Sequence, residues 1–142
     1  MKNSKEVLSS ILKTSQMGQV GIRSVQDAAV KEEMKQALQE QLRQYDAIET
    51  QAQQIAAERG WQLEELPPSA NAMAGMMARM RLQGRNKDSK IAALMVNGNT
   101  RGIIKGLKNA HRYHGRDARI CALSQTLLDC ENENIRKMEP FI

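Results

Sequence analysis

The stretch "NGNTRGIIKG", Asn97 to Gly106, decides the fold. Its glycines stand at 98, 102 and 106, one every four residues. Two structures suit such a run: a loop cradling a phosphate, or a helix with a bare ridge. A phosphate loop needs a preceding strand and the spacing of a dinucleotide fingerprint or a Walker A motif, and neither is present. The surrounding residues carry a helical period instead. Ala92, Met95, Val96, Ile103, Leu107 and Ala110, with Asn99 among them, share one side at about 100° per residue. The run is therefore read as helix. Gly98, Gly102 and Gly106 step by about 40° each along one flank of that apolar side. Each costs roughly 0.8–1.0 kcal/mol against alanine, so the bare flank predicts a neighbouring helix that approaches closely.

Working outward, this helix is expected over about 89–113, with Gly115 as its stop. A following helix over about 117–139 ends at Pro140 and turns Ile120, Leu123, Ser124, Leu127, Leu128, Glu131, Asn134, Ile135 and Met138 inward. Upstream, Asn3 with Glu6 resembles a capping box opening a helix over about 4–26. Its apolar face holds Val7, Leu8, Ile11, Ser15, Gly18, Ile22 and Val25. A second stripe, Met34, Leu38, Gln41, Leu42, Tyr45, Ile48, Glu49, Ala52 and Ile55, defines a helix over about 30–59. Continued straight, that stripe would point about 150° from the first, so the chain turns between Gln26 and Lys31, with Asp27 as the expected cap. Gly60 and Trp61 have the form of a Schellman stop, and Pro67 and Pro68 prevent continuation.

The connection to the next long helix is far longer than a tight turn. It contains "ANAMAGMMARMRL", a short helix over about 70–82 that groups Met73, Met76, Met77 and Met80. That methionine face is expected to cover one end or side of the core. The expected architecture is all-α: one domain over 1–142, a four-helix bundle of two antiparallel hairpins joined by a long crossover.

Composition narrows the function classes. Aromatics are 3% of the 142 residues, which disfavours sheet. No apolar run reaches the roughly 20 residues a membrane span needs, so a cytoplasmic location is expected. Cys121 and Cys130 lie nine residues apart on one helix, out of phase, and are read as separate thiols. His111 and His114 lie at a helix end without a third ligand and are read as C-terminal residues facing the dipole. Charge is lopsided: residues 1–66 carry 8 Lys and Arg against 10 Asp and Glu, residues 67–142 carry 13 against 6. Lys90, Arg101, Lys105, Lys108 and Arg112 share the side opposite the apolar residues. They form either a solvated face or a track for nucleic acid or another polyanion.

The helix order and inward positions resemble the ferritin-like superfamily, the fold of ferritins and rubrerythrins, and most of all its small bacterial members with a short helix in the crossover. The resemblance implies a di-iron centre held by a Glu from the first and third long helices and a Glu-x-x-His from the second and fourth. Here the second long helix has Glu49-x-x-Ala52 and the fourth has Glu131-x-x-Asn134. The first offers Ser15 and Gln19 at the corresponding depth, the third Asn99. Two carboxylates stand where four are needed, and neither histidine is present. Tyr45, Gln19, Glu49, Asn99, Glu131 and Asn134 are therefore expected to form one buried polar network at mid-bundle. The expected protein is a non-catalytic structural or interaction protein, dimeric and without cofactor. Iron or manganese bound at Glu49 and Glu131, and polyanion binding on the basic face, are the alternatives.

Overall fold

The computed structural model describes all residues, 1–142. Five α-helices follow in order: α1 Ser4–Val25, α2 Glu32–Glu58, α3 Ser69–Arg81, α4 Lys87–Arg112 and α5 Ala118–Met138. Short 3-10 turns at Gln26–Ala28 and Glu139–Phe141 follow α1 and α5. There is no strand, only an isolated bridge pairing Lys2 with Tyr113. No helix is long and apolar enough to cross a membrane.

Local chemistry explains the boundaries. The Asn3 side chain accepts the Glu6 N–H at 2.9 Å and opens α1. Asp117 opens α5, its Oδ1 accepting from the Arg119 and Ile120 N–H groups. At the end of α2, Gly60 takes a φ of +66°. The Trp61 N–H then reaches the Ala56 carbonyl and the Gly60 N–H the Ala57 carbonyl, the two bonds of a Schellman stop. The turn between α1 and α2 differs from expectation. Asp27 does not cap α2. The Asp88 carboxylate, at the start of α4, accepts the backbone N–H groups of Val30 and Lys31 at 2.8 and 2.9 Å. Helix α2 has no side-chain cap, and an acceptor 57 residues away from Lys31 holds the turn before it.

Helix α1 packs along α2 and α4 along α5; α1 also meets α3 and α4, and α2 meets α5. One buried cluster draws on all five helices. On α1, α2 and α5 the buried faces follow the apolar stripes, including Leu8, Ile11, Leu38, Ile48, Ile120 and Leu127.

Helix α4 is rotated from the expected setting. Its buried residues are Ile91, Ala92, Met95, Asn99, Gly102, Gly106 and Asn109. Leu107, expected inside, is 47% exposed, and Ala110 is exposed. Gly102 and Gly106 thus belong to the buried face rather than its flank, because α5 lays side chains on them, while Gly98 is exposed. A Cβ on Gly102 would lie 2.8 Å from Glu131 Cδ, and one on Gly106 2.7 Å from Leu128 Cδ2. Side chains of the neighbour, not its backbone, occupy the bare ridge.

Helix α3 also differs. Met73, Met76, Met77 and Met80 are 48–70% exposed, so they do not cover the core. Ala78 is buried, Ala74 half-buried, and Leu82 follows as the next buried position. An edge of small residues at intervals of four lets α3 lie close against its neighbour and leaves the longer methionines outside.

Candidate functional site

The most unusual chemistry in the core lies where α2, α4 and α5 converge. Tyr45, on the buried stripe of α2, lays its ring against Gly18 of α1, where a Cβ would stand 2.6 Å from Cε2. Its hydroxyl donates to Glu131 Oε1 at 2.7 Å and lies 3.1 Å from Asn99 Oδ1. One phenolic proton serves one acceptor, and the shorter contact to the carboxylate takes it. Rotating the Asn99 amide by 180° would let its Nδ2 donate to the phenol oxygen. In either orientation at least one polar atom of that amide has no partner. Glu131 Oε2 has none either.

Glu131 and Asn99 are each 2% exposed. Burial pushes the Glu131 carboxyl up to about 7, and the Tyr45 hydrogen bond opposes the rise. Burial and the Glu131 charge raise the Tyr45 phenol, with Asn134 acting the other way. The Cys130 thiol is pushed up to about 11 by burial and by Glu131, and it donates to Gln44 Oε1 at 3.1 Å. A thiol so disfavoured as thiolate is a poor nucleophile.

The six expected network residues divide into two groups. Tyr45, Asn99 and Glu131 come together, with Asn134 beside them, its Nδ2 donating to Cys130 Sγ at 3.4 Å. Gln19 and Glu49 do not join them. Glu49 is half-buried and accepts from Gln16 Nε2 and Gln19 Nε2, both at 2.8 Å. Gln16 also accepts the Leu66 N–H, so this second group fastens the crossover to α1. The expectation of one network is thus corrected. One turn beyond Tyr45, Glu49 faces α1 and the crossover rather than α5. Gln41, one turn before Tyr45, is fully buried with neither amide atom partnered. Its place on the apolar stripe was the available signal.

A cavity of about 570 Å³ opens above this floor. Its sides are α1, α3, α4 and the crossover at Glu64–Pro67; Tyr45, Asn99 and Glu131 line its inner end. Arg101 and Lys105 line it too, which corrects their placement on the side opposite the apolar residues. Burial, together with Lys13 and Lys2 nearby, lowers the Lys105 pKa. Lys108 and Arg112 are exposed, and the Lys90 ammonium donates to the Gln83 carbonyl. The expected basic face is therefore split between a cavity rim and open surface.

The donor set does not fit a di-iron centre. No three His, Cys, Asp or Glu side chains come together in a way that could hold a metal ion. Glu49 and Glu131 have separate, uncharged partners, and the Ser15 hydroxyl is committed to the Leu12 carbonyl. No family model, curated protein or solved structure matches the chain.

Proposed function

We propose that this chain is a non-catalytic structural or interaction protein on a ferritin-like four-helix bundle, its hairpins α1–α2 and α4–α5 joined by the crossover that carries α3. The observation behind this reading is the pairing of Glu131 with Tyr45. Where the family's enzymes gather carboxylates and histidines around iron, this core has one carboxyl, bonded to a phenol and seated on a glycine. The Tyr45–Glu131 hydrogen bond joins α2 to α5, and the Glu131 carboxyl packs on Gly102 of α4. Together they disfavour sliding of one helix pair along the other, a role that buried polar groups fill in some helical assemblies. The reading includes a homodimer, for which the exposed methionines of α3 are the available apolar surface.

Elemental analysis tests it. Protein purified without chelator, then exposed to ferrous iron in air and desalted, is expected to retain far less than one metal ion per chain. One or two iron ions per chain, lost in Glu131→Gln, would overturn the reading.

A further inference from the structure

The glycines of α1 and α4 fall into two kinds. Gly18, Gly102 and Gly106 make room for side chains of this protein: Tyr45, Glu131 and Leu128. Gly21 and Gly98 make room for none, since a Cβ on either would meet nothing within 4 Å. Both lie on regular helices, where glycine is a poor choice, and both line the same cavity from different helices. Bare backbone that no side chain exploits leaves width between α1 and α4.

Glu131 and Asn99 line the cavity's inner end; each residue is 98% buried and carries a polar atom without a partner, Glu131 Oε2 and one atom of the Asn99 amide. A buried polar atom without a partner is costly, and a ligand group at that point would satisfy it. The sides are adaptable and apolar, with Met77 from α3, Met95 from α4 and Val25 from α1. At the α4 rim stand Arg101 and Lys105, neither with an ion-pair partner, whereas Lys13 across from them is engaged by Glu64 at 3.0 Å. About 570 Å³ falls within the roughly 300–1,000 Å³ of small-molecule sites.

We propose that the space between α1, α3 and α4 is a binding site for a small amphipathic organic anion. Its apolar body rests on the backbone at Gly21 and Gly98, its acid group meets Arg101 and Lys105, and a hydroxyl or N–H group bonds Glu131 and Asn99. The inference goes beyond the structural role proposed above and does not depend on it.

The probe is 8-anilinonaphthalene-1-sulfonate, which combines a sulfonate, an apolar ring system and one N–H. Wild-type protein is expected to bind one dye per chain saturably, with enhanced fluorescence and a raised melting temperature, as ligand linkage requires. Gly98→Leu and Gly21→Leu each fill the cavity from one side, at positions where the added Cβ meets nothing within 4 Å. Either is expected to weaken binding tenfold or more and to lose the thermal shift, with the helical circular dichroism of wild type. Arg101→Glu, an exposed change that spares the core, is expected to weaken binding several-fold and reduce its salt dependence. Unsaturable binding by wild type would overturn the proposal, as would wild-type affinity in a folded Gly98→Leu or Gly21→Leu variant or in Arg101→Glu. So would loss of binding in a Met73→Ser, Met76→Ser, Met80→Ser triple variant with Gly98→Leu unaffected, because the dye would then sit on the outer face of α3.

Discussion

Folding should take up a proton at Glu131 in a window set by two values. In the unfolded chain the carboxyl has its ordinary value of 4.5, and in the folded protein it is pushed up to about 7. Between them the folded state holds a proton that the unfolded state has released, so stability falls as pH rises through the window. It is highest below about 4.5, and the loss levels off above about 7. At about 1.4 kcal/mol per unit, the full effect is on the order of 3 kcal/mol. For a chain of this size, at a few degrees per kcal/mol, that is roughly 10 °C in melting temperature.

Glu131→Gln isolates this contribution. The amide keeps a carbonyl oxygen for the Tyr45 hydroxyl but never ionises. Its NH2 sits where Oε2 has no partner, which adds an offset of about 1–3 kcal/mol that does not change with pH. The slope is therefore the diagnostic. Urea unfolding at intervals from pH 4.5 to 8 is expected to show the variant gaining on wild type by about 3 kcal/mol across the series. All other titrating groups cancel in the difference. Parallel curves would mean that the carboxyl is solvated in the folded protein, and the account of the core given above would be wrong.

Two helix glycines four residues apart should respond to alanine with opposite signs. Gly98→Ala adds a methyl into open space and should stabilise by about 0.8–1.0 kcal/mol. Gly102→Ala drives a Cβ to 2.8 Å from Glu131 Cδ and should destabilise by about 1–3 kcal/mol; equal effects in urea titrations would show that α5 does not rest on this ridge. Asp88→Ala removes the acceptor from two backbone N–H groups of the α1–α2 turn and should cost about 1 kcal/mol. An unchanged urea midpoint would show that water replaces the carboxylate there.

Much of the fold could be read from residues that act locally. Asn3, Gly60 with Trp61, and Asp117 mark helix ends through bonds to backbone within five residues, so their meaning travels with the sequence. The apolar stripes of α1, α2 and α5 similarly mark the faces they bury. What escaped depends on partners distant in the chain. Asp88 reads as an acidic residue in the first turn of α4, and only the folded chain sets its carboxylate against Val30 and Lys31. Glu49 and Glu131 stand on similar stripes, yet one meets glutamines of α1 and the other a tyrosine of α2. The methionines of α3 count as apolar in any periodicity, while the alanines that dock the helix count for little.

The glycines show most directly why. Counting apolar side chains assigns glycine no weight, so the expected inward face of α4 takes in Leu107 and Ala110, whereas the buried face at that level is Gly102, Gly106 and Asn109. A helix glycine marks a place that something else occupies, and its own sequence position does not say what. For Gly102 and Gly106 the occupants are Glu131 and Leu128, side chains that helix periodicity alone had already turned inward on α5. For Gly98 no side chain lies within 4 Å of an added Cβ, and the cavity it lines has Glu131 and Asn99 at its inner end. The same spacing that first suggested a phosphate loop thus separates into two glycines that seat the protein's own residues and one that faces an open cavity. The part of the stretch that folding explains is its helix; the part that folding leaves over is Gly98.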